Sequence, residues 1–90
     1  MTKNKILDAG IKAWKKNPDS VTASNIGRMI GITHAAVLYH FPKGVKNAVA
    51  EYAIEKGEKK IVAQLIALGH PSTKNMTKEE KQSFMSDFAS

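Results

Sequence analysis

The sequence contains no cysteine, so it can form neither disulfides nor thiolate metal sites, and this fits a reducing compartment. It also lacks long hydrophobic runs, since stretches such as residues 61–63 and 65–68 are far too short to span a bilayer. The N-terminal segment becomes polar again by Lys12, so we expect no signal-peptide core. These absences predict a soluble, cytoplasmic protein that does not associate with membranes.

The sequence offers little catalytic chemistry. It has no Ser/His/Asp arrangement, no phosphate-binding loop and no clustered pair of acids. His34, His40 and His70 lack the i,i+4 spacing of a helical metal site, and few carboxylates lie near them in the sequence. We therefore expect no catalytic residues, no metal, no cofactor and no enzymatic activity.

Acidic residues are scarce in the first half of the chain. Residues 1–46 carry eight lysines and arginines against two aspartates, which accounts for the whole net charge of +6. Residues 47–90 carry six residues of each sign and sum to zero. A concentrated basic patch attracts a polyanion through counterion release. The asymmetry predicts nucleic-acid binding by the first half, with a solvated lysine-rich surface as the alternative.

The spacing of the apolar residues predicts an all-α fold with five helices. The predicted helices cover about residues 3–16, 23–30, 33–40 and 45–68, and a short last helix follows residue 77. Thr77 and Glu80 have the spacing of a capping box at the start of that last helix. We expect a three-helix bundle with a helix-turn-helix over residues 1–46. A helical extension over residues 47–90, with a long fourth and a short fifth helix, is expected to serve dimerisation.

Breaker and capping residues mark the ends of these helices. Residues 17–20, Asn-Pro-Asp-Ser, separate the first two helices. Thr22 can cap the second helix, and Gly31 ends it because a tight turn needs a residue that tolerates positive φ. Gly57 lies inside the long fourth helix, where it marks either a bend or a close approach to another helix.

Residues 23–41 contain the spacing of a helix-turn-helix. Such a motif needs apolar residues where two helices cross, a small residue at the crossing and a glycine in the turn. Gly27 is the small residue and Gly31 the turn glycine. The apolar positions are Ile26, Ile30, Ile32 and Val37. Trp14 and Phe41 are expected in the core beneath the motif, and an ordinary helical hairpin is the alternative.

The same spacing determines which side of the third helix is exposed. With Ile32 and Val37 turned inward, five residues project outward, namely Thr33, His34, Ala35, Leu38 and Tyr39. In a DNA complex this side enters the major groove, where its apolar side chains can contact thymine methyls. It has no Arg, Asn or Gln, so we expect modest direct base recognition supplemented by DNA shape. The predicted DNA-binding residues are Thr22, Ser24, Arg28, Thr33, His34, Ala35, Leu38, Tyr39, His40, Lys43 and Lys46.

A set of short motifs runs through the first part of the chain. They are Ile6-Leu7-Asp8-Ala9, Trp14, Thr22, Ile26-Gly27, Gly31-Ile32-Thr33 and Val37-Leu38-Tyr39-His40-Phe41-Pro42. Together they resemble the DNA-binding domain of the tetracycline-repressor (TetR) family over about residues 3–55. The resemblance implies a transcriptional repressor that binds double-stranded DNA as a homodimer on a near-palindromic operator.

Three departures limit what the resemblance implies. Leu38 stands where the family usually has a tyrosine that touches the DNA backbone. Gly44 stands where it usually has a lysine, and Lys43 or Lys46 can take that place. After the motif, only about 45 residues remain, too few to enclose a usual small-molecule pocket. We therefore expect no small-molecule inducer, unless the chain is a fragment of a longer protein.

The C-terminal helices are expected to hold a reduced form of the family's dimer contact. The predicted dimer residues are Tyr52, Ile54, Ile61, Leu65, Phe84 and Phe88. Phe84, Met85 and Phe88 have two further roles open to them, as a cap on the monomer's own core or as a docking stripe for another protein. Three lysines of this half alternate with acids and are expected on a solvated helix side, namely Lys56, Lys59 and Lys60.

A second function fits the same DNA-binding residues. The chain can also be a DNA-binding component of a plasmid or viral replication, segregation or packaging assembly. Its small size and the missing sensor domain favour that alternative. The operator, the regulated gene and the direction of regulation are not encoded in any recognisable motif.

Overall fold

The structure is a computed structural model that describes the backbone of residues 2–89 and the side chains of residues 2–86. All regular structure in this range is helical, which confirms the predicted all-α class. The six α-helices are α1 Thr2–Lys16, α2 Ala23–Ile30, α3 His34–His40, α4 Val45–Lys56, α5 Lys59–Ala67 and α6 Lys78–Ala89. Short 3-10 turns, Pro18–Ser20 and Pro71–Thr73, precede α2 and α6. Among these residues no helix is long and apolar enough to cross a membrane.

The chain divides into two compact units. The first unit is Met1–Val49 and the second unit is Ala50–Ser90. Helix α4 begins in the first unit and ends in the second. The division assigns α1, α2 and α3 to one unit, and α5 and α6 to the other.

Threonine side chains cap three of the helices. The Thr22 hydroxyl accepts a hydrogen bond from the backbone N–H of Asn25 at 3.1 Å, which confirms the predicted cap of α2. The Thr33 hydroxyl accepts one from Ala36 at 3.0 Å at the start of α3. The predicted capping box of α6 is also confirmed, because Thr77 and Glu80 exchange two bonds of 3.1 Å each. Each cap satisfies a backbone donor that has no partner within its own helix.

The core of the first unit follows from the helical spacing of α1. Most of its buried residues recur every three or four positions, at Ile6, Ala9, Gly10, Ala13 and Trp14, and Ile11 is buried beside them. Ile26 of α2, Val37 of α3 and Val49 of α4 are also fully buried. Each such aliphatic side chain contributes roughly 1.5–3 kcal/mol when it leaves water. Trp14 is 4% exposed, which confirms its predicted core position, whereas Phe41 is only half-buried.

The predicted long fourth helix is wrong. Helix α4 ends at Lys56, because Gly57 adopts a left-handed conformation with φ of 69°. The backbone N–H groups of Gly57 and Glu58 then bond to the carbonyls of Ile54 and Ala53, the Schellman pattern that closes a helix. No atom lies within 4 Å of the position that a Gly57 side chain would occupy. Of the two roles left open for Gly57, the bend therefore applies and the close approach does not.

The second unit is built around α5. Ile61, Val62, Ala63 and Leu65 are buried, and α5 packs against α6. A 3-10 turn connects the two helices, with His70 Nδ1 accepting from the Ser72 backbone N–H at 3.1 Å. The last helix, expected as the fifth, is therefore the sixth.

Candidate nucleic-acid interface

Two glycines determine how α3 packs against α2. Gly31 follows α2 in the left-handed region, with φ of 77°, so the chain turns sharply there. A Cβ atom on Gly27 would lie 2.7 Å from the carbonyl oxygen of Ile32, closer than packed atoms approach. Gly31 therefore makes the predicted tight turn, and the space beside Gly27 is too small for a side chain. The turn consists of Gly31, Ile32 and Thr33, and α3 starts directly after it.

Helix α3 has one buried side and one exposed side. Val37 is completely buried and Ile32 is half-buried, and these two residues anchor the helix and its preceding turn. The outward residues are exposed as predicted, namely Thr33, His34, Ala35, Leu38 and Tyr39. Tyr39 is 84% exposed and Leu38 is 38% exposed. We call these five residues the α3 face.

The α3 face combines a few polar groups with apolar ones. The Thr33 oxygen accepts the capping bond from Ala36, and its hydroxyl hydrogen takes no part in that bond and can donate outward. His34 and Tyr39 add an exposed imidazole and an exposed phenol. The Tyr39 ring stands edge-on to the ring of His40, with centroids 5.5 Å apart, and His40 is half-buried. The face can therefore make single hydrogen bonds and apolar contacts.

Lysines flank the C-terminal end of α3. The Lys3 ammonium group lies 5.6 Å from the ring centroid of Phe41, the residue that follows α3. Lys43 lies two positions further along the chain, and Lys46 lies in the first turn of α4. We call Lys3, Lys43 and Lys46 the flanking lysines. All three are exposed, so their charges are accessible to an anion.

Aromatic rings hold two of the flanking lysines in place. The Lys46 ammonium group lies 5.4 Å from the ring centroid of Trp14, as Lys3 lies over Phe41. A cation over a ring face gains roughly 0.5–1 kcal/mol at an exposed site. These contacts restrict the long lysine side chains before any ligand arrives.

All eleven predicted DNA-binding residues lie in the first unit, and ten of them are exposed, His40 being the exception. Ser24 and Arg28 project from α2, where Thr22 serves as the N-cap. The first unit also carries the whole net charge of +6, since the second unit has six residues of each sign. The arrangement places the α3 face on the charged unit of the chain.

The dimer residues predicted in the second unit fall into three groups. Ile61 and Leu65 are 1% and 0% exposed, so they belong to the core of the single chain and have no surface left for a second copy. This corrects the prediction that they contact a partner. Tyr52, Ile54 and Phe84 are half-buried and keep some accessible surface. The side chain of Phe88 lies outside the described residues.

Two residues, Lys3 and Leu68, were not among the predicted site residues, although the structure places them prominently. Lys3 was included only in the net charge of the first half. Its contact with Phe41 joins two segments that are distant in sequence, and the spacing within one helix cannot predict such a contact. Leu68 is 77% exposed at the end of α5, within the short apolar run of residues 65–68. Helix α5 ends at Ala67, so Leu68 lies outside the buried stripe of that helix.

Comparison with known proteins gives no match. No family model, no curated protein and no solved structure matches this chain. Within the described residues there is no group of three or more histidine and acidic side chains that could hold a metal ion.

Proposed function

We propose that this chain is a sequence-specific double-stranded DNA-binding protein, a TetR-like transcriptional repressor whose α2–turn–α3 segment acts as a helix-turn-helix. The observation that carries the proposal is the exposure of the α3 face on the unit that holds all the excess positive charge. Val37 anchors α3 from behind, while Tyr39 extends into solvent with 84% of its surface exposed. The major groove of B-DNA admits one α-helix of this kind.

The charges support binding to the DNA backbone. The flanking lysines are exposed on the same unit as the α3 face, and Lys3 contacts the residue that follows α3, so we expect them to contact phosphates of a bound duplex. Each lysine that neutralises a phosphate releases condensed counterions, and this contributes affinity that does not depend on sequence. The α3 face then supplies the contacts that distinguish one sequence from another.

The length of α3 favours a homodimer. Its seven residues extend only about 10 Å, at 1.5 Å per residue, which is about three base pairs of DNA. One such helix distinguishes few sites in a genome, and a two-fold symmetric pair doubles the recognised sequence. The accessible parts of Tyr52, Ile54 and Phe84 are the proposed contact between copies. Repression then follows from occupying a promoter, without any chemistry.

Selection of bound duplexes from a random library, repeated at two salt concentrations, tests the proposal. We expect a near-palindromic consensus whose half-sites lie about 34 Å apart, one turn of DNA. Uniform affinity for all sequences would instead favour an architectural component of a DNA assembly. Failure to retain any duplex at low salt would contradict DNA binding altogether.

Replacing Tyr39 by alanine is expected to weaken binding to the selected duplex about tenfold, a loss of about 1.4 kcal/mol. The ring is 84% exposed and stands edge-on to the ring of His40, so its removal leaves no cavity in the core. The thermal midpoint should therefore stay close to that of the wild type. Tyr39→Phe separates the hydroxyl from the ring, and an unchanged affinity of Tyr39→Ala in a fluorescence-anisotropy titration would remove Tyr39 from the interface.

A further inference from the structure

The α3 face carries an apolar strip. Ala35 and Leu38 are three positions apart, so they are neighbours on one side of the helix. Both are exposed, and Leu38 keeps 38% of its surface accessible, while the adjacent Val37 is completely buried. The strip lies between the polar residues His34 and Tyr39. An apolar group in this position gains free energy only when another apolar group covers it.

We propose that this strip recognises the C5 methyl group of pyrimidines in the major groove, and that the methyl group rather than the identity of the base is what it detects. The inference rests on the proposed DNA-binding function and names the chemical group that the α3 face selects. The other groups on the major-groove edges of the bases are hydrogen-bond donors and acceptors. A leucine placed against those groups would remove them from water without replacing their hydrogen bonds, which is unfavourable.

The side chain of leucine cannot distinguish the two bases that carry this methyl group. Thymine and 5-methylcytosine present the methyl group at the same place on the groove edge, and they differ at the neighbouring O4 or N4 atom. Leu38 and Ala35 have no donor or acceptor with which to detect that difference. Binding should therefore respond to cytosine methylation at the positions that the strip covers, as it responds to thymine.

The first arm of the test removes the methyl group from thymine. Each thymine of the selected duplex is replaced singly by deoxyuridine, which keeps the base pairing and all hydrogen-bonding groups. We expect about fourfold weaker binding at the position facing Leu38, the effect of one buried methyl group. In Leu38→Ala the ratio of the affinities for the thymine and uracil duplexes should fall to about one. Leu38→Met keeps the apolar bulk and should retain most of the fourfold ratio.

The second arm tests 5-methylcytosine. At the same position the thymine–adenine pair is replaced by cytosine–guanine, with and without the C5 methyl group. The wild type should bind the methylated pair about fourfold more tightly than the unmethylated pair, and Leu38→Ala should bind both equally. Met29→Ala is the matched control, because Met29 is a similarly large apolar side chain, 45% exposed, on α2 rather than on α3. It should keep both discriminations.

The possible results separate this inference from the proposed function. Tight binding to the selected duplex with equal affinity for thymine and uracil would overturn methyl recognition and leave DNA binding intact. Discrimination that persists in a folded Leu38→Ala variant would assign the effect to groove shape and also overturn it. Recognition of thymine without recognition of 5-methylcytosine would overturn the claim that the methyl group alone is detected. If no duplex binds, both proposals fail together.

Discussion

Replacing Lys3, Lys43 and Lys46 together by glutamine is expected to weaken duplex binding roughly 10²–10³-fold at 0.1 M salt. Each phosphate contact adds about 0.9 to the steepness with which log affinity falls with log salt concentration. Between 1 M and 0.1 M salt, one such contact therefore raises the affinity about eightfold, and this gain is lost when the contact is removed. The slope itself should fall by nearly three. Lys46→Ala alone should reduce it by about one and should weaken all sequences alike. Anisotropy titrations across a salt series measure both quantities.

A second triple variant separates local from overall charge. Lys56, Lys59 and Lys60 are exposed and lie in the second unit, and their replacement by glutamine removes the same total charge. This control should leave the salt slope nearly unchanged. The loss of the two cation–π contacts lowers the stability of the first triple variant by roughly 1–2 kcal/mol, which circular dichroism can monitor. Equal slopes in the two variants would refute the assignment of the flanking lysines to phosphates.

Replacing Gly27 by valine is expected to destabilise the protein by roughly 3 kcal/mol or more, at the upper end of overpacking effects. A Cβ atom alone would lie 2.7 Å from the Ile32 carbonyl oxygen, and this atom belongs to the backbone of the turn, so it cannot rotate away. Helix α3 must then separate from α2. For a chain of this size the thermal midpoint should fall by roughly 12–24 °C, and DNA binding should be lost with it.

Two further variants make this result specific. Gly27→Ala adds a single carbon, and alanine recovers about 1 kcal/mol of helix propensity, so the loss of stability should be clearly smaller. Arg28→Val is the control for placing a valine in α2, because Arg28 is the exposed neighbour of Gly27 on that helix. Its effect should stay within about 0.5 kcal/mol. If Gly27→Val has the same thermal midpoint as the wild type, the contact between α2 and α3 does not require a glycine at position 27.

Local signals in the sequence were sufficient for most of the helix caps and for the turn before α3. Thr22, Gly31 and the Thr77–Glu80 box were predicted because a cap or a left-handed turn depends on residues within four positions of each other. The exposed side of α3 was predicted for a similar reason. Once Val37 is buried, helical geometry determines where Leu38 and Tyr39 point.

The features that were missed have two kinds of cause, a local signal outweighed by the apolar spacing and contacts that no local pattern contains. The apolar spacing continues across Gly57, so it predicted one helix where the left-handed glycine ends α4. Ile61 and Leu65 form an apolar stripe, but a stripe does not specify whether its own chain or a second copy covers it. The contact between Lys3 and Phe41 joins two segments that are distant in sequence. In the last two cases the tertiary structure supplies the missing information.

The position of Lys46 over Trp14 gives the protein an intrinsic optical signal. Trp14 is the only tryptophan in the chain, so indole emission reports on this one place. An ammonium group over the ring changes the electrostatic surroundings of the indole, and a phosphate that draws Lys46 away should change the emission. Binding of unlabelled duplex can therefore be followed by tryptophan fluorescence. In Lys46→Ala the part of the emission change that depends on this lysine should disappear. Any change that remains reports on the rest of the domain.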